Sequence, residues 1–178
     1  MNDLVVKNHF NQLLLRTVPK DTVSEPPFIS PKKNCFKMIG DAVDVGQGCI
    51  FVGNNKQVLT SYGFETCAPF VMLSKDKTKN ILGHIDSMTD YREIVQAIKD
   101  NFAPKEIENA TIVYMKGAGT IAPHKNLCYF ATNTIEKALD ALNVRGRRID
   151  ALKTGFEDVI VSSKGLFIKD CQKLIKII

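Results

Sequence analysis

Short runs of β-branched and aromatic residues recur along most of the chain, and they limit the possible folds more than any other feature. Runs of this length and composition are typical of strands. A turn-forming Gly-Asn-Asn sequence at 53–55 separates the first two runs and predicts that they pair as a hairpin. The predicted strands cover residues 49–52, 57–60, 68–73, 111–115, 148–152, 158–162 and 166–169.

Two segments have helical rather than strand periodicity. Apolar residues recur at helical spacing within 90–102, where Asp90 and Glu93 stand in capping-box positions. A second helix is predicted over 134–143, with Asn133 as its N-cap. Many strands with few helices predict an α+β fold, in which mixed β-sheets form a sandwich with helices flanking it.

The N-terminal residues differ in composition from the rest of the chain. Four prolines (Pro19, Pro26, Pro27 and Pro31) interrupt the polar run over 17–34, which excludes a regular helix or a sheet interior there. We therefore expect 1–34 to be an arm or linker and 35–178 to be the catalytic domain. The arm is expected to wrap the surface, to move freely, or to serve in targeting or partner contact.

Length and charge exclude several functional classes. A chain of 178 residues suffices for one domain with its own core. The net charge of +5 has no interleaved aromatic platform beside it, so we predict no nucleic-acid binding. No apolar run reaches the roughly 20 residues of a membrane span, and no secretory signal pattern is present. We expect a cytoplasmic protein, or one secreted into a host cell without a Sec signal.

The cysteine pattern argues against metal and disulfide frameworks. The five cysteines include no Cys-x-x-Cys pair and lie near no histidine cluster, so neither a metal site nor a disulfide framework is predicted. Cys35, Cys49, Cys128 and Cys171 lie in apolar contexts and are interpreted as packing residues. His9, in the arm, and His124, in a predicted loop, are interpreted as surface histidines.

Cys67 has a different setting. It follows the glycine-containing segment SYGFETC and precedes a strand, a position that exposes its sulfur and frees its backbone N–H. A hairpin that turns at 74–79 would return His84 to its side. An adjacent imidazolium lowers a thiol pKa, and His84 would then act as the base. Ser61 is the candidate that orients the imidazole, through its hydroxyl or its carbonyl. The structural alternative is a buried, inert cysteine.

The same segment resembles the T-x-G-x-G-S-C loop of the chemoreceptor glutamine deamidase (CheD) family. Ser61 stands at the threonine, Gly63 at the first glycine, Thr66 at the serine and Cys67 at the nucleophile, and His84 falls at the family's histidine spacing. The segment ATIVYMKGAG at 110–119 is similar to a second family segment. Cytotoxic necrotizing factor toxins share the Cys-His arrangement on a related fold.

This resemblance implies a CheD/cytotoxic necrotizing factor-like cysteine hydrolase fold that converts a protein glutamine to glutamate through a thioester. It implies that Cys67, His84 and Ser61 are catalytic, and that the loop residues Gly63, Glu65 and Thr66 contact the substrate. No cofactor or metal is required, and an amine in place of water would give transglutamination. The partner is a protein that carries a glutamine.

Departures from the family pattern bear on the target. Glu65 replaces the second glycine of the loop, and IDSMT follows His84 where the family has M-L-P. These changes favour a bacterial effector that acts on a host protein. Two alternatives remain: a chemoreceptor deamidase of chemotaxis, and a non-catalytic protein-binding module on the same scaffold.

Overall fold

A computed structural model describes residues 28–29, 36–116, 124–150, 158–170 and 173–178. The chain has a mixed α+β fold with two β-sheets and few helices, which confirms the predicted class. Within the described ranges, no helix is long and apolar enough to cross a membrane. The strands are β1 (Phe28–Ile29), β2 (Phe36–Ile39), β3 (Ala42–Val45), β4 (Cys49–Asn54), β5 (Val58–Tyr62), β6 (Ala68–Leu73), β7 (Lys79–Ile85), β8 (Thr111–Lys116), β9 (Arg147–Asp150), β10 (Asp158–Ser162), β11 (Gly165–Asp170) and β12 (Lys173–Lys176). The helices are α1 (Tyr91–Asn101), α2 (Pro104–Asn109) and α3 (His124–Ala141).

The described strands form two six-stranded sheets. The first sheet has the order β1-β4-β7-β6-β8-β9, and the second has the order β12-β11-β10-β5-β3-β2. Neighbouring strands are antiparallel except for the β8–β9 pair in the first sheet and the β3–β5 pair in the second. The β6–β7 hairpin lies at the centre of the first sheet, where it is paired on both sides.

One apolar core lies between the sheets and another lies between the first sheet and the helices. Leu82 and Val71 face the core shared with the second sheet, whereas Ile81 and Phe70 face the core covered by α1 and α3. Both faces of β6 and β7 are therefore buried, which explains why these strands are continuous apolar runs rather than alternating ones. The site described below lies in the core between the sheets.

The predicted hairpin between the runs at 49–52 and 57–60 is wrong. β4 pairs with β1 and β7 in the first sheet, whereas β5 pairs with β3 and β10 in the second. The turn at Asn54 therefore carries the chain from one sheet to the other; the Gln57 N–H donates to the Asn54 carbonyl there. A turn sequence specifies a reversal of direction, but non-local packing selects the strand's partners.

The second helix is longer than the sequence analysis predicted. α3 begins at His124, so Asn133 is an interior residue rather than an N-cap, and His124 is helical rather than in a loop. The buried residues Cys128, Ala131 and Ile135 extend the apolar stripe toward the N-terminus. The polar residues between them favoured a later start, but tertiary packing of this stripe outweighs their weak local preferences.

Part of the predicted arm joins the domain, because Phe28 and Ile29 pair with Val52 and Phe51 at the edge of the first sheet. The rest of 1–34 lies outside the described residues. The GAG segment at 117–119, Cys35 and Cys171 lie outside them as well. Cys49 packs in the core between the sheets, as interpreted, but it is disulfide-bonded rather than a free cysteine, which the sequence analysis did not predict.

Candidate functional site

Cys67 and His84 are brought together by the β6–β7 hairpin, as the sequence predicted. Pro69 pairs directly with His84, and Ala68 pairs with Ile85. Cys67 is therefore a diagonal neighbour of His84 on the same face of the sheet, a relation that separates Cα atoms by about 7–8 Å. Both side chains point into the core between the sheets, and they are 1% and 3% exposed respectively.

Ser61 reaches this pair from the second sheet. It lies on β5 and is almost completely buried. Its Oγ is 2.9 Å from His84 Nδ1 and 2.6 Å from the carbonyl oxygen of Val45 at the end of β3. The structure therefore places three sequence-predicted site residues in one cluster that spans the interface between the two sheets.

The hydrogen bonds of Ser61 assign the tautomer of His84. A serine hydroxyl has a single proton to donate, and a backbone carbonyl can only accept. Ser61 donates its proton to Val45, so the bond to His84 requires that Nδ1–H donates to Ser61 Oγ. His84 Nε2 then carries a lone pair, and this buried atom has no hydrogen-bond partner among the described residues. That nitrogen is free to accept a proton.

Burial keeps both reactive groups neutral in this conformation. Burial lowers the pKa of His84 to about 4, although Asp86 and the Val45 carbonyl raise it. Burial also raises the pKa of the Cys67 thiol, and Asp86 and Cys128 add to that effect while a hydrogen bond from Thr66 opposes it. The expected lowering of the thiol pKa by a neighbouring imidazolium is therefore wrong here, because desolvation dominates.

Phe64 covers the histidine. Its ring stacks on that of His84 with centroids 4.2 Å apart and planes 28° apart, and Phe64 is itself 3% exposed. Sequence analysis did not single out Phe64. The sequence signal that could have indicated a buried ring here is a phenylalanine three residues after Ser61, in a loop of otherwise small or polar residues.

The three loop residues predicted to contact substrate lie between β5 and β6. Gly63 has a φ of +78°, in the left-handed region that favours glycine, and it is exposed. Glu65 is exposed, and its carbonyl accepts a hydrogen bond from the buried Cys128 thiol at 2.9 Å. Thr66 Oγ1 is 3.7 Å from Cys67 Sγ. Of the three, Thr66 neighbours the sulfur of Cys67, which is buried rather than exposed as the sequence predicted.

Comparison with known proteins gives no assignment. No protein-family model matches the chain, and no curated protein matches it significantly. The case for a function therefore rests on the geometry of the site.

Two further observations limit the chemistry of the described residues. No group of three or more His, Cys, Asp or Glu side chains among them is arranged to hold a metal ion. A cleft of about 660 Å³ lies near the turn of the β6–β7 hairpin, at the end away from Cys67. Its lining residues are Ser74, Lys75, Asp76, Lys105, Glu106 and Asn109, which include neither a cysteine nor a histidine.

Proposed function

We propose that this chain is a cysteine-dependent protein-glutamine deamidase with Cys67 as nucleophile and His84 as general base. The observation that carries the proposal is the Val45–Ser61–His84 chain of hydrogen bonds, which fixes the imidazole and leaves Nε2 unprotonated in the core beside Cys67. A base held in one tautomer by a third group is the arrangement that nucleophilic catalysis requires. A packing histidine has no need of a free lone pair.

The reaction proceeds in two halves. His84 Nε2 takes the thiol proton as Cys67 Sγ attacks the carboxamide carbon of a glutamine, and the resulting tetrahedral intermediate carries an oxyanion. The C–N bond breaks, ammonia leaves with the proton that His84 returns, and a thioester remains. His84 then takes a proton from water, whose oxygen attacks the thioester. The C–S bond breaks, His84 returns that proton to Cys67 Sγ, and the glutamate product is released.

Two parts of the site assist this chemistry. The backbone N–H of Cys67 lies at a loop-to-strand junction and is our candidate donor to the oxyanion, where losing one donor typically costs about 2.7–4 kcal/mol of barrier. Ser61 is a positioning residue, since it acts through His84 rather than on the substrate. The fold we propose is the CheD/cytotoxic necrotizing factor-like cysteine hydrolase fold, in agreement with the two-sheet α+β architecture.

We further propose that the target is a host protein and that the chain is a bacterial effector. The support is the loop chemistry: an exposed glutamate, Glu65, stands where chemoreceptor deamidases have a glycine. The amine-transfer variant of the reaction follows if an amine replaces water.

Proteomic analysis of lysates tests the proposal. A bacterial and a eukaryotic lysate are each treated with the wild-type chain, with Cys67→Ser, and with Cys128→Ser as a matched thiol control. We expect glutamine-to-glutamate conversions in the eukaryotic lysate with wild type and Cys128→Ser, and none with Cys67→Ser. Conversions confined to the bacterial lysate would support the chemotaxis alternative, and an absence of conversions in both would favour a binding module.

A further inference from the structure

The proposed site is closed to a protein substrate in this structure. Cys67 is 1% exposed, and the Phe64 ring lies against one face of the His84 imidazole. A glutamine carboxamide needs direct access to the sulfur. The loop that carries Phe64 therefore has to move before the chemistry proposed above can start.

Contacts with both His84 and the helix layer hold this loop against the core. Phe64 packs on His84, and two residues before Cys67 the carbonyl of Glu65 accepts a hydrogen bond from Cys128 on α3. The side chain of Cys128 is completely buried, so the second contact ties the loop to the helix layer. The stacking on His84 holds the Phe64 side chain, and the hydrogen bond from Cys128 holds the loop backbone at Glu65.

The loop also has a pivot. Gly63 adopts a φ of +78°, and a Cβ added there would meet no atom within 4 Å. Tyr62 and Glu65 beside it are exposed. Rotation at Gly63 would therefore move Phe64 outward without pulling other buried side chains of 62–65 from the core.

We propose that the loop from Gly63 to Thr66 is a gate, and that Phe64 keeps it closed until a glutamine-bearing segment of a protein displaces the ring from His84. The identity of the displacing ligand rests on the proposed function, whereas the gate itself does not. In the open state the glutamine side chain takes the place of the ring beside His84. The movement also frees Cys67 Sγ to approach Nε2, with which it makes no hydrogen bond in the closed state.

Gate opening is measured by the rate at which iodoacetamide alkylates Cys67 in the full chain at neutral pH. Peptide mass spectrometry distinguishes alkylation of Cys67 from alkylation of Cys128. Phe64→Ala removes the ring contact and should raise the rate about tenfold. Gly63→Ala should raise it by a similar factor, because an L-residue disfavours the left-handed closed conformation. Cys128→Ala should also raise it, whereas Cys128→Ser keeps a donor and should leave it unchanged.

The control is Phe102→Ala. Phe102 has the same 3% exposure as Phe64 but lies in the core between the first sheet and the helices. If Phe64→Ala accelerates alkylation no more than Phe102→Ala does, Phe64 is an ordinary core residue and the gate is refuted. If Phe64→Ala does not fold, Gly63→Ala tests the gate instead, because its added methyl group meets no neighbouring atom. An unchanged alkylation rate of Cys67 in that variant refutes the gate.

This measurement separates the gate from the proposed function because it requires no substrate. Faster alkylation in the variants supports the gate even when no lysate protein is deamidated. Unchanged alkylation together with deamidation by the wild-type chain refutes the gate and leaves the proposed function intact.

Discussion

At the scale of single residues, the hydroxyl of Ser61 decides which nitrogen of His84 carries the proton. Ser61→Ala removes the acceptor for Nδ1–H, so we expect deamidation to fall about 10–100-fold, by analogy with metal-binding histidines that lose the group orienting them. Ser61→Thr keeps the hydroxyl and should retain most of the activity. A purely structural role would instead lower the melting temperature of Ser61→Ala without changing the pH profile of the reaction.

The buried His84 also predicts how stability depends on pH. Its pKa is about 4 in the folded chain and about 6.5 in an unfolded one. As pH falls below about 6.5 the unfolded chain binds a proton that the folded chain does not, so stability decreases until about pH 4. The total loss is about 3 kcal/mol.

Urea denaturation at pH 7.5 and at pH 4.5 measures this effect, with His84→Gln as the comparison. The variant should lose clearly less stability over that interval than the wild type. Equal losses in both chains would show that His84 is not held neutral by burial.

Sequence predicted which side chains lie together better than it predicted their environment. Cys67, His84 and Ser61 could be named from a loop pattern and hairpin spacing, because both are local. The Val45 carbonyl that fixes the orientation of Ser61 belongs to a strand in another part of the chain and has no side-chain signal. The depth of burial that raises the Cys67 pKa is likewise set by packing between the sheets.

At the scale of secondary structure, the first turn of α1 depends on Asp90. Its side chain accepts a hydrogen bond from the Arg92 backbone N–H and satisfies one of the unpaired donors of the helix. Asp90→Ala should destabilise the chain by about 1 kcal/mol. Asp100→Ala, in the last turn of the same helix, is the matched control and should have little effect, since an acidic residue there opposes the helix dipole. Equal losses in urea denaturation would contradict the capping role.

The elements that sequence predicted correctly are those specified by local pattern. The β6 and α1 segments lie where periodicity placed them, and the β6–β7 hairpin formed as expected. The pairing of β4 with β5 failed because both strands have apolar faces that several partners could cover. The start of α3 was missed because packing against the first sheet, rather than a cap, extends it.

At the scale of the whole molecule, the two sheets are joined by an apolar core in which the site is embedded. Leu82 lies on β7 two residues before His84, is 0% exposed and faces the core between the sheets. Leu82→Ala should cost about 2–5 kcal/mol of stability. Met88→Ala should change stability by no more than about 0.5 kcal/mol, because Met88 is 82% exposed. Similar melting temperatures for the two variants would contradict this account of the core.

The overall class of the molecule followed from the sequence, but its arrangement into two sheets did not. Strand-rich composition with few helices predicts α+β, and the structure confirms it. Which strands belong to which sheet depends on contacts between distant parts of the chain, which a single sequence does not reveal.

The central claim is that Cys67 and His84 convert a protein glutamine to glutamate through a thioester. The most direct test is to run the lysate reaction in heavy-oxygen water, since hydrolysis of the thioester places one solvent oxygen in each new glutamate. Labelled glutamate should appear at defined sites with the wild-type chain, but not with Cys67→Ser or His84→Gln. The same labelled sites with Cys67→Ser, or none with the wild-type chain in either lysate, would contradict the claim.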